Sequence, residues 1–373
     1  MSAVATMPGV DRRPERVARV VSALTEHHLD ALLVTGSANI RYLTGFSGSS
    51  GLLLVTPRDL LFITDFRYDT QVKEEIGDFA RVRIENVSLW TALWEELSSL
   101  PKLSVIGFES AQVMHRDFAR FLQEAEGGRW QWRPQNAIVE TLREAKDVDE
   151  VALIERAAGM ATRALQETLP QIRPGLTELE IAGILEKALR DQESEAYPFE
   201  TIVASGPRAA LPHARASRRA VEVGDFLLLD FGAQADGYCS DITRTFVVGR
   251  ADDLQREVYG VVREANERAI AQVRAGMTGQ QADAIARDYI AERGYGDDFG
   301  HSLGHGVGLE VHESPRLSRT ADATLPLHTV VTIEPGIYRA GWGGVRIEDD
   351  VYLVPNGARV LTDFTHDLLE LPA

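Results

Sequence analysis

Two carboxylates, Asp230 and Asp241, stand in otherwise apolar strands of the segment FLLLDFGAQADGYCSDITRTFVV. The turn signal Asp236-Gly237 near their midpoint predicts a hairpin, which brings the two carboxylates out roughly opposite one another. A buried carboxylate without a partner is costly, and a facing pair repels unless a cation lies between them. From this pair alone two interpretations stay equally open: a metal site, or one carboxylate in solvent with the other capping a turn.

Three histidines, His301, His305 and His312, follow within twelve residues in HSLGHGVGLEVHE. Two histidines four positions apart resemble a helical metal site, but the interspersed glycines argue against a helix here. A histidine flanked by glycines suits a close approach of the backbone to a ligand. For any single histidine, a satisfied place in the core is the alternative interpretation.

A third segment, VVTIEPGIYRAGWGGVRIEDDVYLV, carries Glu334 at the end of one apolar strand and Glu348 in the next. Arg346 and Glu348 share one strand face, so the arginine is placed to hold that carboxylate. The following Asp349 and Asp350 allow a plainer interpretation, a polar strand end. Four carboxylates with one or more histidines are too oxygen-rich for structural zinc, and they suit Mn²⁺, Co²⁺, Fe²⁺ or Zn²⁺ in a two-metal site.

The elements around these segments divide the chain into two parts. In the first part strands such as LDALLVTG alternate with helical stretches such as RRPERVARVVSALTEHH, which predicts a three-layer α/β domain. The charged start of a long amphipathic stretch, near residues 143–150, is the predicted boundary. Beyond it the pattern is α+β, with a capping box at Thr177 and Glu180 and one helical break, DDLQREVYGVVREANERAIAQV, among the strands.

Composition excludes several classes of function. The 373 residues predict two domains, and 39 basic against 56 acidic residues give a net charge of −17, which disfavours nucleic acid as a partner. The first residues contain no apolar stretch of signal-peptide length, and no apolar run approaches the roughly 20 residues that span a bilayer. The single cysteine, Cys239, fits a reducing compartment. We therefore expect a cytoplasmic protein without a membrane partner.

The motifs resemble those of metallopeptidase family M24, the pita-bread fold, and within it the branch of aminopeptidase P and prolidase. FETIVASG, LPHA, DFGA, YCSDITRTF, GHGVGLEVHE, EPGIY and GWGGVRIEDDV match the branch in order, and NIRYLTGFSGS resembles its N-terminal domain. The resemblance implies an α/β creatinase-like N-terminal domain over residues 1–145 and an α+β pita-bread catalytic domain over residues 146–373.

The resemblance also implies a ligand set for two divalent metal ions: Asp230, Asp241, His305, Glu334 and Glu348. Mn²⁺ is the first choice, with Co²⁺, Zn²⁺ and Fe²⁺ as alternatives. Asp230 would bind one ion, Asp241 and Glu348 would bridge both, and His305 and Glu334 would complete the second. Ions bridged in this way share a hydroxide nucleophile.

Further roles follow from the same resemblance. Glu334 would also carry the proton of that nucleophile to the leaving nitrogen. His213 and His312 would bind the scissile carbonyl and stabilise the oxyanion, and Arg346 would hydrogen-bond the carboxylates or the substrate. His301 matches no ligand position, and we place it behind the ligands.

The implied substrates are small peptides with proline at the second position. We favour an Xaa-Pro aminopeptidase; a dipeptide-specific prolidase and a broader aminopeptidase are the alternatives. The intact ligand set argues against a metal-free hydrolase such as creatinase and against a non-catalytic peptide-binding module.

Tyr338 is a candidate for the floor of the proline pocket. Either Arg208 or Arg316 is a candidate for contact with the substrate C-terminus, with a solvated loop arginine as the alternative. The family is commonly dimeric, so a homodimer is expected.

Overall fold

The computed structural model describes residues 10–100, 103–124 and 129–373, which form two compact units divided between Arg143 and Glu144. The expected class, an α/β first part followed by an α+β second part, is confirmed. Among the described residues, no helix combines the length and the apolar character needed to cross a bilayer.

Within its described residues, the first unit is built on a six-stranded mixed sheet in the order β4-β3-β2-β1-β5-β6. The strands are β1 (Ala31–Val34), β2 (Leu52–Val55), β3 (Leu60–Thr64), β4 (Arg81–Ile84), β5 (Val105–Glu109) and β6 (Gln131–Gln135). The helices are α1 (Arg13–Glu26), α2 (Ser37–Thr44), α3 (Asp69–Glu75), α4 (Leu89–Ser99) and α5 (His115–Glu124), and α6 (Ile138–Glu144) ends at the division. The short helix α2 lies in the NIRYLTG motif, where periodicity alone predicts no helix.

An aromatic cluster fills one side of this sheet. Its members are buried or half-buried and form stacked, tilted and edge-on pairs: Trp90, Trp94, Phe108, Phe118, Phe121, Trp130 and Trp132. Large rings in such arrangements contribute much of the apolar burial that stabilises a small α/β layer.

The second unit has helices α7 (Val148–Thr168), α8 (Glu178–Asp191), α9 (Asp253–Gln272) and α10 (Gly279–Glu292). The capping box predicted at Thr177 and Glu180 is confirmed, and Asp147 and Glu150 form another at the start of α7. The prediction of one helical break among the strands is wrong, because α10 follows α9. Half of the hydrophobic residues that α10 buries are alanines, which give a weak periodic signal.

The strands of the second unit form a four-stranded sheet, β19-β11-β8-β7, a five-stranded sheet, β13-β12-β14-β17-β18, and two-stranded ladders β15-β16 and β9-β10. Their bounds are β7 (Ile202–Ser205), β8 (Phe226–Phe231), β9 (Gln234–Ala235), β10 (Tyr238–Cys239), β11 (Ile242–Val248), β12 (Gly304–Gly306), β13 (Glu313–Leu317), β14 (Val330–Ile333), β15 (Gly336–Arg339), β16 (Gly343–Arg346), β17 (Asp349–Val354), β18 (Gly357–Val360) and β19 (Glu370–Leu371). All the predicted metal-ligand positions lie on or beside these strands.

Candidate metal centre

The hairpin β8–β11 carries the two aspartates. Its turn is as predicted, with Asp236 and Gly237 both at positive φ, but Asp230 pairs with Thr243 and not with Asp241. The aspartates, which the sequence predicts roughly opposite one another, are thus offset by two residues along the ladder. Because side chains alternate along a strand, an offset of two leaves both aspartates on the same side of the hairpin.

The two glutamates lie where a second antiparallel ladder opens. β14 pairs with β17 through Ile333 and Asp349, and β15 pairs with β16 through Gly336 and Arg346, in one continuous register. That register sets Glu334 opposite Glu348, although neither residue belongs to a strand. The single strand predicted through Glu348 is thus two strands, and Glu348 bridges to Thr243 of the hairpin at the break.

Both aspartates after Glu348 are fully buried, so the interpretation of this stretch as a polar strand end is wrong. Asp349 accepts a hydrogen bond from Arg244, and Asp350 accepts one from the backbone N–H of Asp241 at 2.9 Å. Asp350 therefore fixes the backbone of one candidate ligand. Thr243 fixes another, since its hydroxyl donates to Glu348 Oε2 at 2.5 Å.

His305 lies on β12, where its neighbouring glycines allow a close approach of the adjacent strands. A Cβ at Gly304 would lie 2.0 Å from the Thr332 carbonyl oxygen. The His305 Nε2 atom is 3.6 Å from Glu334 Oε1 and 3.8 Å from Asp241 Oδ2. One ligand atom each from Asp241, His305 and Glu348 lie within 4.8 Å of one another.

The charges in this cluster do not balance without a cation. Burial and the charge of Glu348 raise the pKa of Asp241 and of Glu334, and burial and Asp230 raise the pKa of Glu348 to about 8. Burial and the nearby His312 lower the pKa of His305 to about 4, so the imidazole stays neutral and able to bind a metal.

The donors present fit a divalent ion. Asp241 Oδ1 is buried and has no hydrogen-bond partner among the described residues, which is the expected state of an oxygen that faces a metal. Carboxylate oxygens with one imidazole suit a hard or borderline divalent cation.

Arg346 pairs with Asp230 and not, as its strand face predicts, with Glu348, and it links Asp230 to Tyr338 and to the backbone at Pro212. Its guanidinium makes a charge-assisted pair with Asp230, donates to the Tyr338 hydroxyl at 2.7 Å and reaches the Pro212 carbonyl oxygen at 3.3 Å. The Tyr338 hydroxyl also lies 2.8 Å from His301 Nε2. These contacts hold Asp230 in place and connect it to the segment that carries His213.

The remaining predicted residues differ in solvent exposure and in the contacts that they already make. His213, His312 and Arg316 are exposed, and the His312 ring centroid lies 4.4 Å from that of His305. Arg316 sits opposite His305 in the β12–β13 ladder. Arg208 is committed elsewhere, because it donates to the buried Glu178 at 3.0 Å and to the Arg215 carbonyl oxygen at 2.5 Å.

Sequence reasoning missed Arg244, the largest fully buried side chain in the structure. It donates to Asp349 Oδ1 at 2.7 Å and to the Glu348 carbonyl oxygen at 2.7 Å. The signal was available: one arginine in the apolar strand ITRTFVV requires a buried partner, and Asp349 in a second apolar strand is that partner.

A buried cluster of carboxylates and one histidine, held on strands of an α+β unit, is typical of a metal-dependent enzyme. The chain belongs to metallopeptidase family M24, whose profile matches residues 152–355, and the creatinase/prolidase N-terminal domain matches residues 16–145. The protein is accordingly a metallopeptidase with the pita-bread fold, and divalent metal ions are its implied cofactor.

Named relatives cover nearly the whole chain. An Xaa-Pro dipeptidase of Pyrococcus furiosus is 36% identical over 95% of this chain and 99% of its own. The solved structure of an Xaa-Pro dipeptidase from Bacillus anthracis matches with a TM-score of 0.92 and 39% identity, over 96% of this chain and 100% of its own. An X-Pro aminopeptidase structure from Thermotoga maritima matches with a TM-score of 0.88 and 39% identity, over 95% and 99%.

Proposed function

We propose that this protein hydrolyses the bond between an N-terminal residue and a following proline, with Xaa-Pro dipeptides as its main substrates. The observation that carries the proposal is the convergence of Asp241, His305 and Glu348 within 4.8 Å, with Glu334 3.6 Å from His305. The dipeptidase names of the Pyrococcus and Bacillus relatives support the substrate class. The proposal assigns residues 1–145 to the N-terminal domain and residues 146–373 to the catalytic domain.

Two divalent ions, with Mn²⁺ as the first choice, would be held by Asp230, Asp241, His305, Glu334 and Glu348. When bound, such ions lower the pKa of a water molecule and so supply the nucleophile without serine or cysteine. The chain's own residues then carry the proton and hold the substrate. Glu334 takes the proton of the attacking water and delivers it to the proline nitrogen, which has no hydrogen of its own.

Two exposed histidines complete the substrate side of the proposal. His213 and His312 hydrogen-bond the scissile carbonyl oxygen and stabilise the charge that develops on it. Arg346, held between Asp230 and Tyr338, keeps the first of these segments near the site through the Pro212 carbonyl oxygen. The Tyr338 hydroxyl already hydrogen-bonds Arg346 and His301, so only the ring of Tyr338 is available to line the proline pocket.

Arg316 is the stronger candidate for the substrate C-terminus, because it is exposed and pairs with His305 across the ladder. We expect Arg316→Ala to raise KM for an Xaa-Pro dipeptide about tenfold or more, the loss of one charge-assisted hydrogen bond, with little change in kcat. Arg208→Ala is the matched control, since Glu178 already occupies that guanidinium. If neither variant changes the KM for the dipeptide, neither arginine recognises the C-terminus of the substrate.

The similarity to the Thermotoga X-Pro aminopeptidase favours a second candidate, removal of the first residue from longer peptides. Hydrolysis of an Xaa-Pro dipeptide, an Xaa-Pro-Xaa tripeptide and an Xaa-Ala dipeptide by Mn²⁺-reloaded enzyme separates the two. Cleavage of the first alone supports the dipeptidase, and cleavage of the tripeptide supports the aminopeptidase. Cleavage of Xaa-Ala alone contradicts both and indicates a broader aminopeptidase. The Asp241→Asn variant serves as the blank for contaminating host peptidases.

A cytoplasmic location and a homodimer belong to the same proposal. The single cysteine, Cys239, is buried, and burial raises the pKa of its thiol to about 12, which suits a chain without structural disulfides. Sedimentation velocity at dilute concentration tests the dimer: a single species with the mass of two chains supports it, and a 41.1 kDa species contradicts it.

A further inference from the structure

Asn266 is a fully buried amide on the core-facing side of α9. Its helical neighbours on that side, one turn away in each direction, are the buried apolar residues Val262 and Ala269. A polar side chain at such a position is costly unless its hydrogen bonds are made.

The amide nitrogen of Asn266 reaches both arms of the open ladder. Nδ2 donates to the Ile333 carbonyl oxygen at 2.9 Å and to the Ile347 carbonyl oxygen at 3.2 Å. These carbonyls belong to the residues immediately before Glu334 and Glu348. A third acceptor, Asp349 Oδ2, lies 3.3 Å from the same nitrogen, so the surrounding oxygens select the orientation with the NH₂ group inward.

The contact falls at the one place in the ladder where strand pairing is interrupted. β14 and β17 pair up to Ile333 and Asp349, and the next pair is that of Gly336 with Arg346. Between these pairs one long backbone hydrogen bond joins the arms, from the Ile347 N–H to the Pro335 carbonyl oxygen at 3.4 Å, and each arm carries one glutamate. One side chain from α9 thus hydrogen-bonds a backbone carbonyl of each arm at this point of the ladder.

We infer that Asn266 is a positioning residue for the metal centre: its amide ties the backbones before Glu334 and Glu348 and so sets the separation of their carboxylates. The inference rests on the proposed function, because it concerns how the proposed ligands are held. It adds a residue outside the ligand set, which acts only through the two glutamates.

A purely structural role explains the same residue less well. Asn266 Oδ1 is buried and has no hydrogen-bond partner among the described residues, which is a cost that an apolar side chain of similar size would avoid. The benefit that offsets this cost lies on the nitrogen side, where the two carbonyls are bound.

The test compares Asn266→Ala with Val262→Ala, a truncation one turn earlier on the same buried face of α9. Each purified protein is stripped of metal and titrated with Co²⁺, with calorimetry for affinity and stoichiometry and visible absorption for coordination geometry. We expect Asn266→Ala to lose about 10- to 100-fold in affinity for at least one ion and to show a changed absorption spectrum. Val262→Ala should keep both ions and the wild-type spectrum, although it too is less stable to denaturant.

A milder variant, Asn266→Ser, keeps a short donor and provides the comparison if Asn266→Ala does not fold. It should fall between the wild type and alanine in Co²⁺ affinity. Wild-type affinity and spectrum in a folded Asn266 variant would overturn the inference while leaving the proposed function intact. Failure of the wild-type protein itself to bind Co²⁺ would instead overturn the proposed function.

Discussion

At the scale of the residue, Asp241 combines burial, acidic neighbours and an oxygen without a hydrogen-bond partner among the described residues. We expect Asp241→Asn to abolish binding of at least one ion and peptidase activity together, because an amide cannot supply a charged bridging oxygen. Elemental analysis of the dialysed protein measures the bound metal. Asp191→Asn, which alters an exposed aspartate on α8, is the control and should keep the wild-type content.

Retention of two ions at wild-type affinity by Asp241→Asn would contradict its assignment as a ligand.

The buried acids also predict how the stability of the metal-free protein depends on pH. The pKa of Glu348 is raised to about 8 from 4.5, so between these values the folded state binds the proton more tightly than the unfolded chain. This group therefore lowers the free energy of unfolding as pH rises towards 8. His301 and His305, whose pKa values are lowered to about 4 from 6.5, act in the opposite direction, but only below 6.5.

Between pH 6.5 and 8 the pH dependence of the free energy of unfolding therefore comes from the buried acids. We expect the metal-free protein to lose stability across this window, as measured by urea denaturation with a chelator present. Addition of Mn²⁺ should remove most of this loss, because the ions bind the ionised carboxylates. Stability that rises with pH in the metal-free protein would contradict the predicted direction.

At the scale of the element, a buried ion pair stabilises the turn between β12 and β13. Lys146 Nζ lies 2.8 Å from Glu313 Oε1, with the two side chains 1% and 5% exposed. The carboxylate packs against Gly308, where a Cβ would approach Glu313 Oε1 to 2.4 Å. The pair therefore sets the path of the segment that presents His312.

We expect Lys146→Met to lower the free energy of unfolding by about 3–5 kcal/mol, because it leaves a buried carboxylate without its ammonium partner. Lys187→Met, which removes the partner of Asp191 on the exposed face of α8, should cost no more than about 1 kcal/mol. Urea denaturation of both variants makes the comparison. Equal losses in the two would show that the buried pair does not stabilise the turn.

The candidate ligand positions could be singled out because each places a carboxylate or a glycine-flanked histidine in or beside an apolar strand, where burial demands a partner; their combination into one ligand set came from the resemblance to family M24. Asn266 could not be predicted in this way, since its place among the apolar residues of α9 predicts burial but does not indicate which backbone groups it binds. The break at Ile347 and Glu348 was hidden for a related reason. The alternation of side chains continues through it, and only the pairing with Thr243 draws Glu348 out of the ladder.

At the scale of the whole molecule, metal binding contributes directly to the stability of the fold, because the ligand cluster exists only in the folded chain. We expect Mn²⁺ at one hundred times its dissociation constant to raise the free energy of unfolding by about 2.7 kcal/mol per site. Urea denaturation followed by far-ultraviolet circular dichroism, with and without chelator, measures the difference. Asp241→Asn should show a smaller rise, and no rise in the wild type would contradict a metal site in the folded protein.

The aromatic cluster of the first unit determines which optical probe reports on metal binding and on unfolding of the second unit. Of the five tryptophans in the chain, Trp90, Trp94, Trp130 and Trp132 lie in that cluster, and only Trp342 belongs to the unit with the metal site. Intrinsic fluorescence is therefore dominated by emission from residues outside the metal-binding unit. A variant that keeps Trp342 as the sole indole, packed 5.3 Å from the Phe226 ring, would turn the same signal into a reporter on the catalytic unit.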